Sequence, residues 1–264
     1  MRIGTTPNRR VDITEEIEFL SRLGFDFVEL HTSDLQIRNK KEEILNCARK
    51  HGLDLTGHLP DIDLCDPNLS RNRELLQRFS EDINVFHELG IKKVVIHAYV
   101  GRKVNISDYP RYELEKLKLQ RLSELTEKCE SSNMKLCLEN TDEKPENFES
   151  FFKELPSLSF CLDIGHANLF TQDNTSLGFL ERFGDKLKHV HICDNLGGYS
   201  EECDIHLPLG TGKINYTPIL QYLKKIGYDD TITLEIISNY REEYLKVSKK
   251  ILKRLLNDIY VRTK

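Results

Sequence analysis

The chain has 264 residues, of which 39% are hydrophobic and 31% charged, and its formal net charge is −5. Because this length suits one domain with one large core, we expect a single domain over residues 1–264. The negative net charge gives no overall positive field for nucleic acid. The apolar runs are too short for a membrane span of ~20 residues. The start has no apolar stretch followed by a cleavage site, so we expect a cytoplasmic protein.

The seven cysteines form no Cys-x-x-Cys pair. Three of them, Cys137, Cys161 and Cys193, lie inside apolar, strand-like runs. This distribution predicts reduced cysteines that mostly lie in the core, and it argues against a disulfide framework or a zinc finger.

Short apolar runs rich in β-formers alternate with longer segments of helical period along the chain. The runs predict eight strands. These strands cover residues 3–5, 27–31, 53–58, 94–97, 135–139, 159–163, 189–192 and 232–236. The helical segments begin near Thr14, Lys40, Ser70, Tyr112, Pro145, Thr175 and Tyr216, and a last one runs from 240 to about 258.

Local signals support this division. Asp12 and Thr14 precede acidic residues at the start of the first helix, and a glycine separates several helices from the next strand: Gly24, Gly52, Gly90 and Gly227. Residues 32–39 are interpreted as a loop. Eight β-then-α units predict a closed (βα)8 barrel of the α/β class rather than a doubly wound sheet. Barrel active sites lie at the carboxyl ends of the strands.

Residues that can bind a metal lie at the ends of seven of these strands. They are His31, His58, His97, Glu139, Asp163, His191 and Glu235. Any one of them alone is typical of a helix cap or a hydrogen-bonded core residue. Together, carboxylates that converge in a barrel mouth would repel one another without a cation. The pattern therefore predicts a divalent metal site at this end of the barrel.

Other residues extend the candidate site. Asp163 and His166 lie three apart across a turn, and Asp204 and His206 share one side if their segment is extended. The segment Leu209-Gly210-Thr211-Gly212-Lys213-Ile214 is either a phosphate-binding loop or a plain turn. Candidate anion contacts are Arg102, Lys103 and Lys213.

The chain resembles the xylose-isomerase-like TIM barrels, a superfamily that includes sugar phosphate isomerases and epimerases and endonuclease IV. The resemblance covers essentially the whole chain. It rests on Gly24-Phe25-Asp26-Phe27-Val28-Glu29-Leu30, Leu138-Glu139-Asn140, Leu162-Asp163-Ile164-Gly165-His166, His191-Ile192-Cys193-Asp194-Asn195, His206-Leu207-Pro208-Leu209-Gly210-Thr211-Gly212 and Leu234-Glu235.

For the isomerase and epimerase branch, the resemblance implies one divalent ion, such as Zn, Mn or Co, on Glu139, Asp163, His191 and Glu235. It also implies that Glu139 and Glu235 move the proton on either face of a sugar carbon, through a metal-stabilised enediolate. His166, Glu29 and Lys213 are the candidate substrate contacts. The substrate would be a sugar or a sugar phosphate.

Endonuclease IV is similar over a larger ligand set, with three zinc ions. Every one of its nine ligands has a match: His58, His97, Glu139, Asp163, His166, His191, Asp204, His206 and Glu235. This branch implies hydrolysis of abasic-site DNA by a metal-bridged hydroxide, and five histidines among nine ligands favour zinc.

The chain departs from endonuclease IV outside these ligands. The N-terminal glycine-rich strand with its histidine is replaced by Ile3-Gly4-Thr5-Thr6-Pro7, and the loop over residues 32–39 has no aromatic wedge to hold an extruded abasic site. Glu29 is more typical of the sugar isomerases. We therefore expect a metal-dependent sugar isomerase or epimerase with one to three ions per chain. The alternatives are an endonuclease-IV-like phosphodiesterase and a non-catalytic, sugar-binding barrel.

Overall fold

The chain folds into a closed barrel of eight parallel strands, here in a computed structural model that describes residues 1–62, 64, 69–98, 110–238 and 240–261. The strands follow one another around the barrel in chain order, and the first pairs with the last to close it. This is the TIM barrel that the alternating pattern predicts, so the predicted fold class is confirmed.

The strands are short and buried, and helices connect them on the outside. Their bounds are β1 Arg2–Thr5, β2 Phe27–His31, β3 Asp54–His58, β4 Lys93–His97, β5 Lys135–Glu139, β6 Ser159–Asp163, β7 Leu187–Ile192 and β8 Thr231–Leu234. The helices are α1 Ile13–Arg22, α2 Leu35–Asn39, α3 Lys41–His51, α4 Leu69–Glu88, α5 Arg111–Ser131, α6 Glu149–Glu154, α7 Ser176–Phe183, α8 Tyr216–Lys225 and α9 Arg241–Val261.

Several predicted elements differ from the structure, and β7, for example, begins at Leu187 rather than at residue 189. Strand β8 ends at Leu234 rather than at residue 236. The N–H of Glu235 still donates to the carbonyl of Ile192, but the N–H of Ile237 donates to the carbonyl of His206 in a loop. The expected loop over residues 32–39 contains helix α2, which Asp34 caps by accepting from the N–H of Gln36. The helix expected from Pro145 begins as a 3-10 turn over Pro145–Phe148, and α6 follows it.

The turn signals that flank the helices are confirmed. Asp12 accepts hydrogen bonds from the backbone N–H groups of Thr14 and Glu15 and so caps α1. The four glycines that separate a helix from the next strand all have φ near +70°: Gly24, Gly52, Gly90 and Gly227. Only glycine adopts this backbone conformation without a steric penalty, so each chain reversal is built into the sequence.

The hydrophobic core fills the layer between barrel and helices. A smaller cluster of Val95, Cys137 and Cys161 lies apart from it. The six described cysteines are free, and four of them are buried, whereas Cys65 lies outside the described residues. Within the described ranges, no helix has the length and apolar character needed to cross a membrane.

One close contact inside the barrel yields a prediction for stability. Gly4 of β1 is the register partner of Phe27 of β2, and a Cβ added to Gly4 would meet that ring at 2.4 Å. Because the ring is fully buried, Gly4→Ala is expected to lower the free energy of unfolding by about 1–3 kcal/mol in urea denaturation. In a Phe27→Leu background the same change should cost less, and equal costs in both backgrounds would contradict this contact.

Candidate metal centre and active site

A cavity of about 760 Å³ opens at the carboxyl ends of the strands. This volume is in the range of small-molecule sites. Predicted ligands from five strands or the loops after them line it: His58, His97, His166, Asp204, His206 and Glu235. Glu139, Asp163 and His191 lie beneath them, fully buried. The barrel thus brings all nine candidate ligands to one end.

The innermost group surrounds one ring nitrogen of His191. Its Nδ1 lies 3.0 Å from Oε1 of Glu139, 3.4 Å from Oε1 of Glu235 and 3.9 Å from Oδ2 of Asp163. Its other nitrogen, Nε2, donates to Glu29 at 2.9 Å. A neutral imidazole has only one N–H, so Nδ1 presents a lone pair to three carboxylates unless it gains a proton or binds a cation.

Glu139 connects this group to a second one. Its Oε1 faces His191, while its Oε2 lies 3.1 Å from Nε2 of His58 and 3.3 Å from Nε2 of His97. The ligand atoms of His58, His97 and Glu139 lie within 4.8 Å of one another. The single carboxylate therefore has one oxygen in each group.

A third group lies on the loop side of the cavity. Nε2 of His166 and Nε2 of His206 each lie 3.3 Å from an oxygen of Asp204. The pair Asp204 and His206 does meet, although the backbone is not simply extended there, because His206 has φ of 43°. Nδ1 of His166 also lies 3.4 Å from Oε1 of Glu139. This contact connects the third group to the other two.

Three histidines of these groups are oriented by hydrogen bonds to backbone carbonyl groups. Nδ1 of His58 donates to the carbonyl of Leu59 at 2.7 Å, Nδ1 of His166 to that of Asn140 at 3.0 Å, and Nδ1 of His206 to that of Glu235 at 3.1 Å. Each of these rings therefore keeps Nε2 for the cluster. Fixing one nitrogen by a hydrogen bond is how proteins present the other to a metal.

The donor set fits a divalent cation. In the described part of the chain, Oδ2 of Asp163 is buried and has no hydrogen-bond donor, and burial raises the pKa of this carboxyl to about 6. Burial also raises the pKa of Glu139, but the charges of His191 and His97 outweigh it and hold the pKa well below its usual value. Burial lowers the pKa of His191, yet nearby Cys161 and the carboxylates raise it well above normal. The protonated form of His191 is thus stabilised, and its positive charge compensates the carboxylates. A metal ion could supply this positive charge instead.

Glu29 lies deeper than expected for a substrate contact. Its side chain is fully buried inside the barrel and accepts hydrogen bonds from Nε2 of His189 at 2.7 Å, Nε2 of His191 at 2.9 Å and Oγ1 of Thr233 at 2.6 Å. It is not among the residues that line the cavity. In this structure Glu29 positions His191 rather than facing the space where a substrate would lie.

The glycine-rich loop after β7 forms a turn. Asp194, which is buried, accepts hydrogen bonds from the backbone N–H groups of Gly210 and Ile214, and the N–H of Lys213 donates to the carbonyl of Asn195. These donors are therefore not directed at a phosphate. Lys213 is exposed and does not line the cavity, and Arg102 and Lys103 lie outside the described residues.

Sequence reasoning missed several residues of the site. Asp61 lies 3.1 Å from Nδ1 of His97 and 3.6 Å from Nε2 of His31, and Arg9 and Arg10 line the cavity. Nothing in the sequence marks these loop residues. His189 offered a signal, because it is two residues before His191 on the same strand and so faces the same interior.

A family model described as xylose isomerase-like TIM barrel matches residues 17–255. The chain belongs to this family. It is 31% identical over 259 residues to the uncharacterized protein MJ1311 of Methanocaldococcus jannaschii, covering 92% of this chain and 85% of that one. It is 23% identical over 268 residues to fructoselysine 3-epimerase of Escherichia coli O157:H7, covering 95% and 94%.

Among solved structures, the chain is similar to a D-tagatose 3-epimerase-like protein. The TM-score is 0.84 with 28% sequence identity, and the match covers 100% of both chains. The chain is thus similar over nearly its whole length to a sugar epimerase and to an epimerase-like protein.

The buried contacts of Glu29 yield a prediction for stability. In Glu29→Gln an amide NH₂ replaces one acceptor and faces N–H donors, so the free energy of unfolding at pH 7 is expected to fall by about 1–3 kcal/mol in urea denaturation. Burial raises the pKa of Glu29, but His191 and His189 hold it well below the ordinary 4.5. The charge therefore stabilises the fold above pH 4.5, and the deficit should shrink as the pH falls below that value.

Exposed Glu15 provides the control, since Glu15→Gln should leave the free energy of unfolding within about 0.5 kcal/mol of the parent. A Glu29→Gln variant as stable as Glu15→Gln would show that the Glu29 carboxylate does not hold the two imidazoles.

Proposed function

We propose that the chain is a divalent-metal-dependent epimerase or isomerase of a sugar or sugar phosphate. The observation that carries this proposal is the convergence of three carboxylates on Nδ1 of His191 beneath a cavity of small-molecule size. The likeness to fructoselysine 3-epimerase and to the D-tagatose 3-epimerase-like structure supports the same reaction class.

Glu139, Asp163, His191 and Glu235 would hold the ion, with zinc, manganese or cobalt as candidates. When bound, a divalent ion polarises a carbonyl or hydroxyl oxygen of the substrate and so acidifies the neighbouring C–H bond. The other interactions needed for the reaction come from protein side chains.

Glu235 is placed for proton transfer. Its side chain is 14% exposed and lines the cavity, so its carboxylate can take a proton from a sugar carbon next to a carbonyl. Glu139 would deliver a proton to the opposite face, which inverts the carbon in an epimerase. His166, which also lines the cavity, would orient substrate oxygens.

One observation favours a second candidate, a multi-zinc phosphodiesterase that acts on abasic-site DNA. Glu139 has no exposed surface, and each of its oxygens faces imidazole nitrogens. A carboxylate in this environment would hold metal ions through its oxygens, and it has no exposed surface with which to contact a substrate carbon. The group of His166, Asp204 and His206 would bind a third ion, and clustered ions suit phosphodiester hydrolysis.

Replacing Glu235 tests the site under either candidate. Glu235→Gln removes both a ligand and a base, so activity is expected to fall by about 10²–10⁴-fold in an assay with ketoses, their phosphates and an abasic-site oligonucleotide. Glu15→Gln, on the exposed face of α1, should keep full activity. A Glu235→Gln enzyme with parental activity would mean that the site lies elsewhere.

Replacing His58 separates the two candidates. Only the multi-metal mechanism needs this side chain as a ligand. Under the epimerase proposal His58→Ala removes one of the three imidazoles that face Glu139, and because His97 and His191 remain, it is expected to lose less activity on a ketose than Glu235→Gln does. Exposed His87 on α4 is the matched control. The epimerase proposal would be overturned if the parent epimerised no sugar but hydrolysed the abasic-site oligonucleotide, and if His58→Ala lost that hydrolysis.

A further inference from the structure

The loop between β1 and α1 lies at the mouth of the cavity and carries two adjacent arginines, Arg9 and Arg10. It is held firmly in place. Buried Glu16 accepts from the backbone N–H of Asn8 at 3.1 Å and from Arg241, whose guanidinium also donates to the carbonyl of Thr6. The backbone that carries the two exposed arginines is therefore held in place by the fold.

The two guanidinium groups have no acidic partner within the described ranges. Arg9 donates to the hydroxyl of Ser33 at 3.0 Å, a neutral acceptor. The third arginine of the cavity, Arg241, is instead neutralised by Glu16 at 2.8 Å. Two positive charges thus face the cavity, and no carboxylate among the described residues pairs with them.

The acidic groups of the cavity do not compensate these charges, because each of them faces histidines. Asp61 faces His97, and Asp204 faces both His166 and His206. The cavity therefore has two electrostatically different ends, with the carboxylate and imidazole clusters inside and an unbalanced guanidinium pair at its mouth.

Arg9 is near enough to the clusters for one small molecule to contact both. It donates to Ser33, whose hydroxyl lies 2.5 Å from Nδ1 of His31, and the His31 ring stacks on His58 with ring centroids 4.8 Å apart. Two side chains thus separate Arg9 from a candidate metal ligand. A sugar whose reacting carbon lies at the inner clusters would extend toward the arginines.

We propose that Arg9 and Arg10 form an anion subsite that binds the acidic group, phosphate or carboxylate, of an acidic sugar substrate. Guanidinium groups match both anions because their N–H donors form paired, charge-assisted hydrogen bonds. This inference rests on the proposed function and narrows its substrate class to acidic sugars. The other candidate anion contacts do not compete within the described residues, since Lys213 is exposed away from the cavity.

The test compares the parent with Arg9→Gln/Arg10→Gln and with Arg22→Gln, an exposed arginine on α1 that pairs with Glu18. Calorimetric titration of the protein as purified with inorganic phosphate is expected to show affinity at least tenfold weaker in the double variant and unchanged in Arg22→Gln. Equal phosphate affinity in all three proteins would overturn the subsite.

Turnover provides the second measurement. D-fructose, D-fructose 6-phosphate and D-fructuronate represent the neutral, phosphorylated and carboxylated cases. The double variant is expected to lose at least tenfold in kcat/KM for one or both acidic sugars, mainly through KM, and to treat D-fructose as the parent does. Equal losses for all three sugars would overturn the subsite.

The two proposals fail in different ways. If no sugar is turned over but the double variant still loses phosphate affinity, the proposed function fails and the anion subsite is supported. If sugars are turned over and the variant does not distinguish acidic from neutral ones, the proposed function is supported and the subsite fails.

Discussion

The burial of the Glu139 carboxylate is the constraint on which the rest of the site depends. A buried, ionised carboxylate is unfavourable by several kcal/mol unless positive charge and hydrogen bonds compensate it. Glu139 is fully buried, and Nε2 of His58, Nε2 of His97 and Nδ1 of His191 lie 3.0–3.3 Å from its oxygens. The residues around Glu139 must therefore supply positive charge as well as fill space. A metal ion would supply positive charge in the same way.

The register of the barrel produces this arrangement. Neighbouring parallel strands place His31 beside His58, His97 beside Glu139, and Asp163 beside His191. Since the strands end at a common level, side chains from strands distant in sequence meet at the mouth. Glu29 and His189 form a second polar layer below, which fixes the ring of His191.

Much of this was predictable from sequence, because strand ends in a barrel share one location. The eight strands and six of the nine candidate ligands follow from periodicity and from residue type at each strand end. His166, Asp204 and His206 lie in the loops after the strands, and they were added from their spacing and from the resemblance to endonuclease IV. The contacts of Asp61, Arg9 and Arg10 were not predictable, since they depend on the paths of loops. The sequence did not show that Glu29 lies below the cavity, because a glutamate in the middle of a strand can face either the cavity or the closed interior of the barrel. The structure shows that Glu29 faces His189 and His191 in the interior.

We propose that a divalent cation balances the carboxylates around His191. The most direct measurement is the metal content of protein purified without chelator, combined with an anomalous-scattering map. We predict at least one divalent ion per chain on Glu139, Asp163, His191 and Glu235, lost together with activity on chelation. Protein that contains no divalent ion at these residues and keeps its activity after chelation would contradict it.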